Sequence, residues 1–155
     1  MKSFSLACIA VLTLALAPSA AADYGMLLRK ARVHPGEWVT VWSNGCLHTP
    51  PRGMRVYLVP APAMRFDTVR MSHPPRTAAY RFLGRLRCIH SHDPQPLPGG
   101  GRWTAIFRFR IPQVGPGWFK VAMYCPPCGS VIAATEYWDG KRMHALVWGL
   151  RVLRR

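Results

Sequence analysis

Acidic side chains are scarce in this chain. Six Asp and Glu stand among 155 residues, against 21 Lys and Arg, for a formal net charge of +15. Asp23, Glu37, Asp67, Asp93, Glu136 and Asp139 are scattered, and no two form a persuasive carboxylate pair of the kind glycoside hydrolysis needs. No Gly-x-Ser-x-Gly elbow is present. The glycine run Gly99-Gly100-Gly101 precedes a strand-like segment rather than a helix, so it does not make a phosphate loop. A sustained helical period and an internal repeat are also lacking. These absences point away from an enzyme and away from a small-molecule cofactor.

Long apolar runs are confined to the start of the chain. Lys2 supplies a positive charge, Ala7 to Ala17 form an apolar core too short to span a bilayer, and Ser19 to Ala22 offer small residues for cleavage. Residues 1–22 are therefore read as a signal peptide, with Cys8 inside the removed segment. Residues 23–155 are read as a single domain, secreted or associated with the cell envelope. No later run is long enough to span a membrane. The stretch "ALVWGLRVL" is strand-sized and is followed by two arginines. Four cysteines remain in an oxidising space, Cys46, Cys88, Cys125 and Cys128, the expected count for two disulfides.

Beyond the leader, short apolar runs alternate with Pro and Gly punctuation, the pattern of an all-β chain. In "EWVTVWS", Val39 and Val41 share one face and Trp38, Thr40 and Trp42 the other. The clearest strand is "RWTAIFRFRIP". Trp103, Ala105, Phe107, Phe109 and Ile111 fall on one side, while Thr104, Ile106, Arg108 and Arg110 fall on the other. In "WFKVAMYC", Phe119, Val121, Met123 and Cys125 are in register. Asp139-Gly140 is a favoured hairpin dipeptide. Residues 61–77 read as a long connection or a weak edge strand. About seven strands with frequent turns predict an antiparallel β-sandwich.

Two stretches, "VHPGEWVTVWSNGC" (33–46) and "GRWTAIFRFRIPQVGPGWFKVAMYC" (101–125), resemble secreted immunoglobulin-like β-sandwich modules of actinobacteria that have no assigned function. The shared pattern is a Pro-Gly turn, a Val-x-Val strand ending in Gly-Cys, then Gly-aromatic-x-Ala-x-Phe, Pro-Gly-aromatic and a strand ending in Cys. The resemblance implies an immunoglobulin-like fold and carries no specific activity. The insert at 61–77 and the basic charge depart from it.

Cys125-Pro-Pro-Cys128 raises three alternatives. A thiol-disulfide oxidoreductase needs its first cysteine at a helix N-terminus. Here Cys125 ends a strand, and "GSVIAAT" after Cys128 is poor helix sequence. In a sandwich with alternating strand directions, all four cysteines arrive at one end. The favoured pairing is Cys46 with Cys125 and Cys88 with Cys128, because the first bridge joins the two halves that carry the resemblance. Its rival is Cys46 with Cys88 and a bridge inside Cys125-Pro-Pro-Cys128. The same topology brings His48, His90 and His92 to that end, a candidate copper or zinc site with the cysteines oxidised, or part of a zinc site with them reduced. The plainer alternative is three solvated loop histidines. The methionines lack a blue-copper arrangement and read as core residues.

The basic charge has two explanations. One is affinity for polyanions, such as an anionic cell-wall polymer, an anionic lipid surface or nucleic acid. The other is arginine enrichment in a GC-rich genome. Under the first, Arg81, Arg85, Arg87, Arg108 and Arg110 are the candidate contacts. Together these observations describe a secreted binding or structural module whose partner is a polyanion or another protein.

Overall fold

The computed structural model describes residues 25–44, 46, 53–89 and 104–154. Within them thirteen short strands form two mixed sheets, and the chain is all-β. The strands are β1 (Met26–Leu28), β2 (Arg32–Val33), β3 (Trp38–Ser43), β4 (Arg55–Pro60), β5 (Thr68–Arg70), β6 (Arg81–Arg85), β7 (Arg87–Cys88), β8 (Ala105–Arg110), β9 (Gly117–Cys125), β10 (Ser130–Ala133), β11 (Glu136–Trp138), β12 (Met143–Ala145) and β13 (Leu150–Val152). The first sheet runs β12-β11-β1-β3-β8-β7. The second runs β2-β13-β9-β10-β5, with β4 on the other edge of β9 and β6 beyond it. Most pairs are antiparallel; β1 with β11 and β2 with β13 are parallel.

The sequence predicts about seven antiparallel strands, and three of the additional ones have a specific origin. Three continuous runs change sheets. The stretch 26–33 breaks between β1 and β2, "RFLGRLRC" breaks at Leu86 between β6 and β7, and "SVIAATEYW" breaks after β10 to become β11. Leu86 and Ala134, at two of the crossings, are buried in the central core. A side chain at a crossing faces both sheets, so the apolar alternation passes through without a visible interruption.

That core lies between the sheets. Met26, Val39, Val41, Ala105 and Phe109 enter it from the first sheet, and Val56, Leu58, Val121, Met123, Leu150 and Val152 from the second. Period-2 alternation puts these residues inward, and each fully buried apolar side chain contributes about 1.5–3 kcal/mol. Gly84 permits one close approach. Its φ is +155°, and a Cβ there would lie 2.5 Å from the ring of Phe107 on the opposing sheet. The β4–β6 register shifts beside it, between Val56 and Tyr57.

The second sheet is covered on its outer face as well. Tyr57, Val59, Ala122, Tyr124 and Val131 form a second cluster, on which Met64, Val69, Met71 and Tyr80 close. Residues 61–77, read as a long connection or a weak edge strand, do supply an edge strand, β5 on β10, and the rest of the segment is a lid with its own core. Its backbone is tied down where Met71 N–H donates to the Gly129 carbonyl and Ala133 N–H to that of Asp67. Tyr124 Oη donates to the Ser72 carbonyl at 3.0 Å. Tyr57 meets Tyr80 edge to face, and burial pushes the Tyr80 phenol above its ordinary pKa. The outer face of the first sheet carries only a small cluster, Leu27 and Trp42 with Ile89, Ile106 and Trp138.

The favoured disulfide pairing is overturned. The bridges are Cys46–Cys88 and Cys125–Cys128, with Cα separations of 5.8 and 5.2 Å. The reason is sheet membership. Cys46 follows β3, and Cys88 ends β7, and both strands flank β8. Ser43 and Cys88 are both registered against Ala105. The first bridge therefore spans β8 within one sheet. Cys125 belongs to the other sheet and closes the tight β9–β10 connection, where Cys128 N–H donates to the Cys125 carbonyl.

Candidate functional site

The five candidate arginines divide between the sheets. Arg108 and Arg110 lie on β8 and Arg87 on β7, all in the first sheet, whereas Arg81 and Arg85 lie on β6 at the edge of the second. Arg85 is registered opposite Arg55, like charge against like. The site is therefore not one patch of five.

The first-sheet group is built by register. Trp38 pairs with Arg110, Thr40 with Arg108, and Trp42 with Ile106, which in turn pairs with Arg87. Side chains at paired positions share a face, and Val39, Val41 and Phe109 claim the inner one. Trp38, Arg108 and Arg110 are left on the outer face and are exposed. The Trp38 ring lies beneath both guanidiniums, at 5.1 Å from Arg108 Cζ and 5.0 Å from Arg110 Cζ. Each cation–π contact at an exposed site is worth about 0.5–1 kcal/mol. Face stacking occupies the π surface of a guanidinium and leaves its N–H edges free to meet an oxyanion.

Among the described residues no carboxylate pairs with Arg108 or Arg110. Among the described residues, Glu37 accepts from Lys30 at 3.0 Å, Asp67 from Lys120 at 2.6 Å and Asp139 pairs with His144 at 2.6 Å. None of these pairs involves an arginine. The Lys30 ammonium holds Glu37 below its ordinary pKa. Arg29, beside this face, donates from Nη1 to the Trp138 carbonyl at 3.1 Å.

His48, His90 and His92 lie outside the described residues. Among the described residues no three His, Cys, Asp or Glu side chains converge on a point where a metal could bind. The reduced-thiol zinc alternative loses its ligands, since all four cysteines are bridged. At Cys125-Pro-Pro-Cys128 the residue after the motif enters the turn to β10, and Cys125 is buried in the core. No helix N-terminus stands there to stabilise a thiolate.

Two features were not assigned from sequence. Trp38 as the base under Arg108 and Arg110 requires the β3–β8 register, though all three residues alternate to the outer face in sequence. The other is a groove over the second sheet, at Trp118 and Trp148. Comparison of the chain with protein-family models, curated proteins and solved structures found no match.

Proposed function

We propose that this protein is a secreted, disulfide-stabilised, immunoglobulin-like binding module that holds polyanions on the outer face of its first sheet. The observation that carries this reading is the pair of arginines stacked on Trp38. Two guanidiniums fixed over one ring repel each other, and an anion bridging their outward edges relieves that repulsion. The formal charge of +15 adds long-range attraction to the same partner. An anionic cell-wall polymer fits an exported protein, and two disulfides are what an oxidising compartment favours. Among the described residues no helix is long and apolar enough to cross a membrane. The immunoglobulin-like part of the reading is supported by strand order. Neighbours β1-β3-β8-β7 in one sheet and β4-β9-β13 in the other follow the ABED and CFG arrangement of such sandwiches.

Heparin-column elution tests the reading with charge held constant. Arg108→Ala/Arg110→Ala and Arg81→Ala/Arg85→Ala each remove two positive charges. The first variant is expected to elute at clearly lower salt than the parent, and the second close to it. Equal losses from both variants would reduce the effect to bulk charge and overturn the face assignment. So would failure of the parent to bind at low salt.

A further inference from the structure

The outer face of the second sheet carries a groove among the described residues. Between the start of the covering insert and the turn that precedes β13 lies a groove of about 450 Å³. Trp118, Trp148, Val147 and Pro62 supply its apolar walls, and Lys120 and Asp67 meet within it. Trp118 and Lys120 alternate outward on β9, since Phe119 and Val121 point to the core. Trp118 is 41% exposed and Trp148 67%, so two indole faces stand in water on one concave surface. Ligand pockets are lined mainly by hydrophobic and aromatic side chains, and an exposed apolar patch at a cleft marks such a site.

The walls are held rather than loose. The Trp118 ring has Arg151 stacked on it at 5.4 Å, from the neighbouring β13. Trp148 is followed by Gly149, at φ +91°, where a Cβ would lie 2.4 Å from the Phe119 carbonyl oxygen. Only glycine lets that turn press against β9 and aim its tryptophan across the sheet. Within the groove Lys120 is 9% exposed. Its Nζ donates to Asp67 Oδ1 at 2.6 Å, while the Asp67 side chain stays 60% exposed.

We infer that this groove binds a neutral sugar chain, with pyranose rings on the Trp118 and Trp148 faces and hydroxyls on the Lys120–Asp67 pair. A pyranose has an apolar C–H face that suits an indole and a rim of hydroxyls that both donate and accept. A fixed ammonium next to a carboxylate offers one donor and one acceptor side by side, which a vicinal diol satisfies together. That pair also decides against the other ligand suited to paired tryptophans, a proline-rich segment. A proline ring has no donor, so covering Asp67 with it would strip water from a carboxylate and return nothing. The volume is within the usual range for a small-ligand pocket. The inference does not rest on the arginine face: it concerns the other sheet and an uncharged ligand.

The test follows the indole Nε1–H signals of Trp118 and Trp148 by NMR during titration with cellotetraose, maltotetraose and chitotetraose, and separately with a proline decamer. At least one sugar is expected to shift both signals saturably, with an affinity that salt leaves unchanged. Trp148→Ala should weaken that binding by about tenfold or more. Its side chain is largely exposed, so the variant should stay folded. Asp67→Asn should weaken binding while leaving a partner for Lys120, and Arg108→Ala/Arg110→Ala should bind as the parent does. The inference is overturned if none of the sugars moves either signal up to about 10 mM. It is overturned equally if binding survives Trp148→Ala and Asp67→Asn undiminished, or if only the proline decamer binds.

Discussion

At the scale of single residues, Asp139 organises more backbone than any other described carboxylate. Its Oδ1 accepts from the Lys141 N–H at 2.7 Å and the Arg142 N–H at 2.9 Å, and its Oδ2 meets His144 Nε2 at 2.6 Å. The backbone N–H groups of Arg142 and Lys141, and then His144, hold the carboxyl well below its ordinary range. In the unfolded chain an aspartate titrates near about 3.9. A depressed native pKa therefore adds stability that is fully present above that value and is lost as pH falls toward the native one. Asp139→Ala should lower the denaturant midpoint at neutral pH, and the gap from the parent should narrow as pH drops below about 3.9. Carboxyl-carbon NMR gives the direct check. An Asp139 inflection in the ordinary aspartate range would sink the account. His144 also stacks on Tyr137, with ring centres 5.0 Å apart, so the same network braces both strands of the β11–β12 hairpin.

At the scale of elements, the two disulfides should differ in worth because they close loops of very different length. Cys46 and Cys88 are 42 residues apart, and Cys125 and Cys128 only 3. Chain entropy assigns about 4 kcal/mol to the first and about 1.5 kcal/mol to the second. Cys46→Ala/Cys88→Ala should accordingly lower the unfolding free energy by more than Cys125→Ala/Cys128→Ala. Denaturant titration of the two double variants measures this, and equal or reversed losses would contradict it. The pairing itself was not legible in the sequence. Alternation shows that a strand ends in a cysteine, but not which sheet the strand joins. "RFLGRLRC" reads as one basic run, yet Arg85 and Arg87 sit in different sheets because the chain crosses at the buried Leu86. The strand at Ala105–Arg110 was legible, since its alternation is regular and one face is buried. The candidate site was legible by halves. Arg108 and Arg110 declare a shared outer face, while their seat on Trp38 depends on a register set by distant contacts. The groove was not legible at all, because Asp67, Trp118 and Trp148 come from three separate segments.

At the scale of the whole molecule, the insert at 61–77 decides whether this is a two-layer sandwich with an appendage or one cooperative body. The second cluster is built on β4, β9 and β10, and β4 and β9 also line the central core through their alternate residues. Tyr57 and Tyr124 face the insert; Val56 and Met123, their chain neighbours, face the first sheet. A strand cannot lose its order on one face and keep it on the other, so the two clusters should melt together. Met64 is the probe, being 1% exposed and supplied entirely by the insert. Met64→Ala should cost about 2–5 kcal/mol. It should do so as a shift in the midpoint of a single transition with an unchanged slope on denaturant, since slope tracks the surface exposed in that transition. A hinged flap would behave otherwise. Limited proteolysis would then cut within 61–77 while the remaining domain unfolded at the parent midpoint. If that were seen, the groove would lose its fixed wall as well, because Asp67 and Pro62 belong to the same insert. The stability of Met64→Ala and sugar binding at Trp148 thus probe one structural premise by separate measurements.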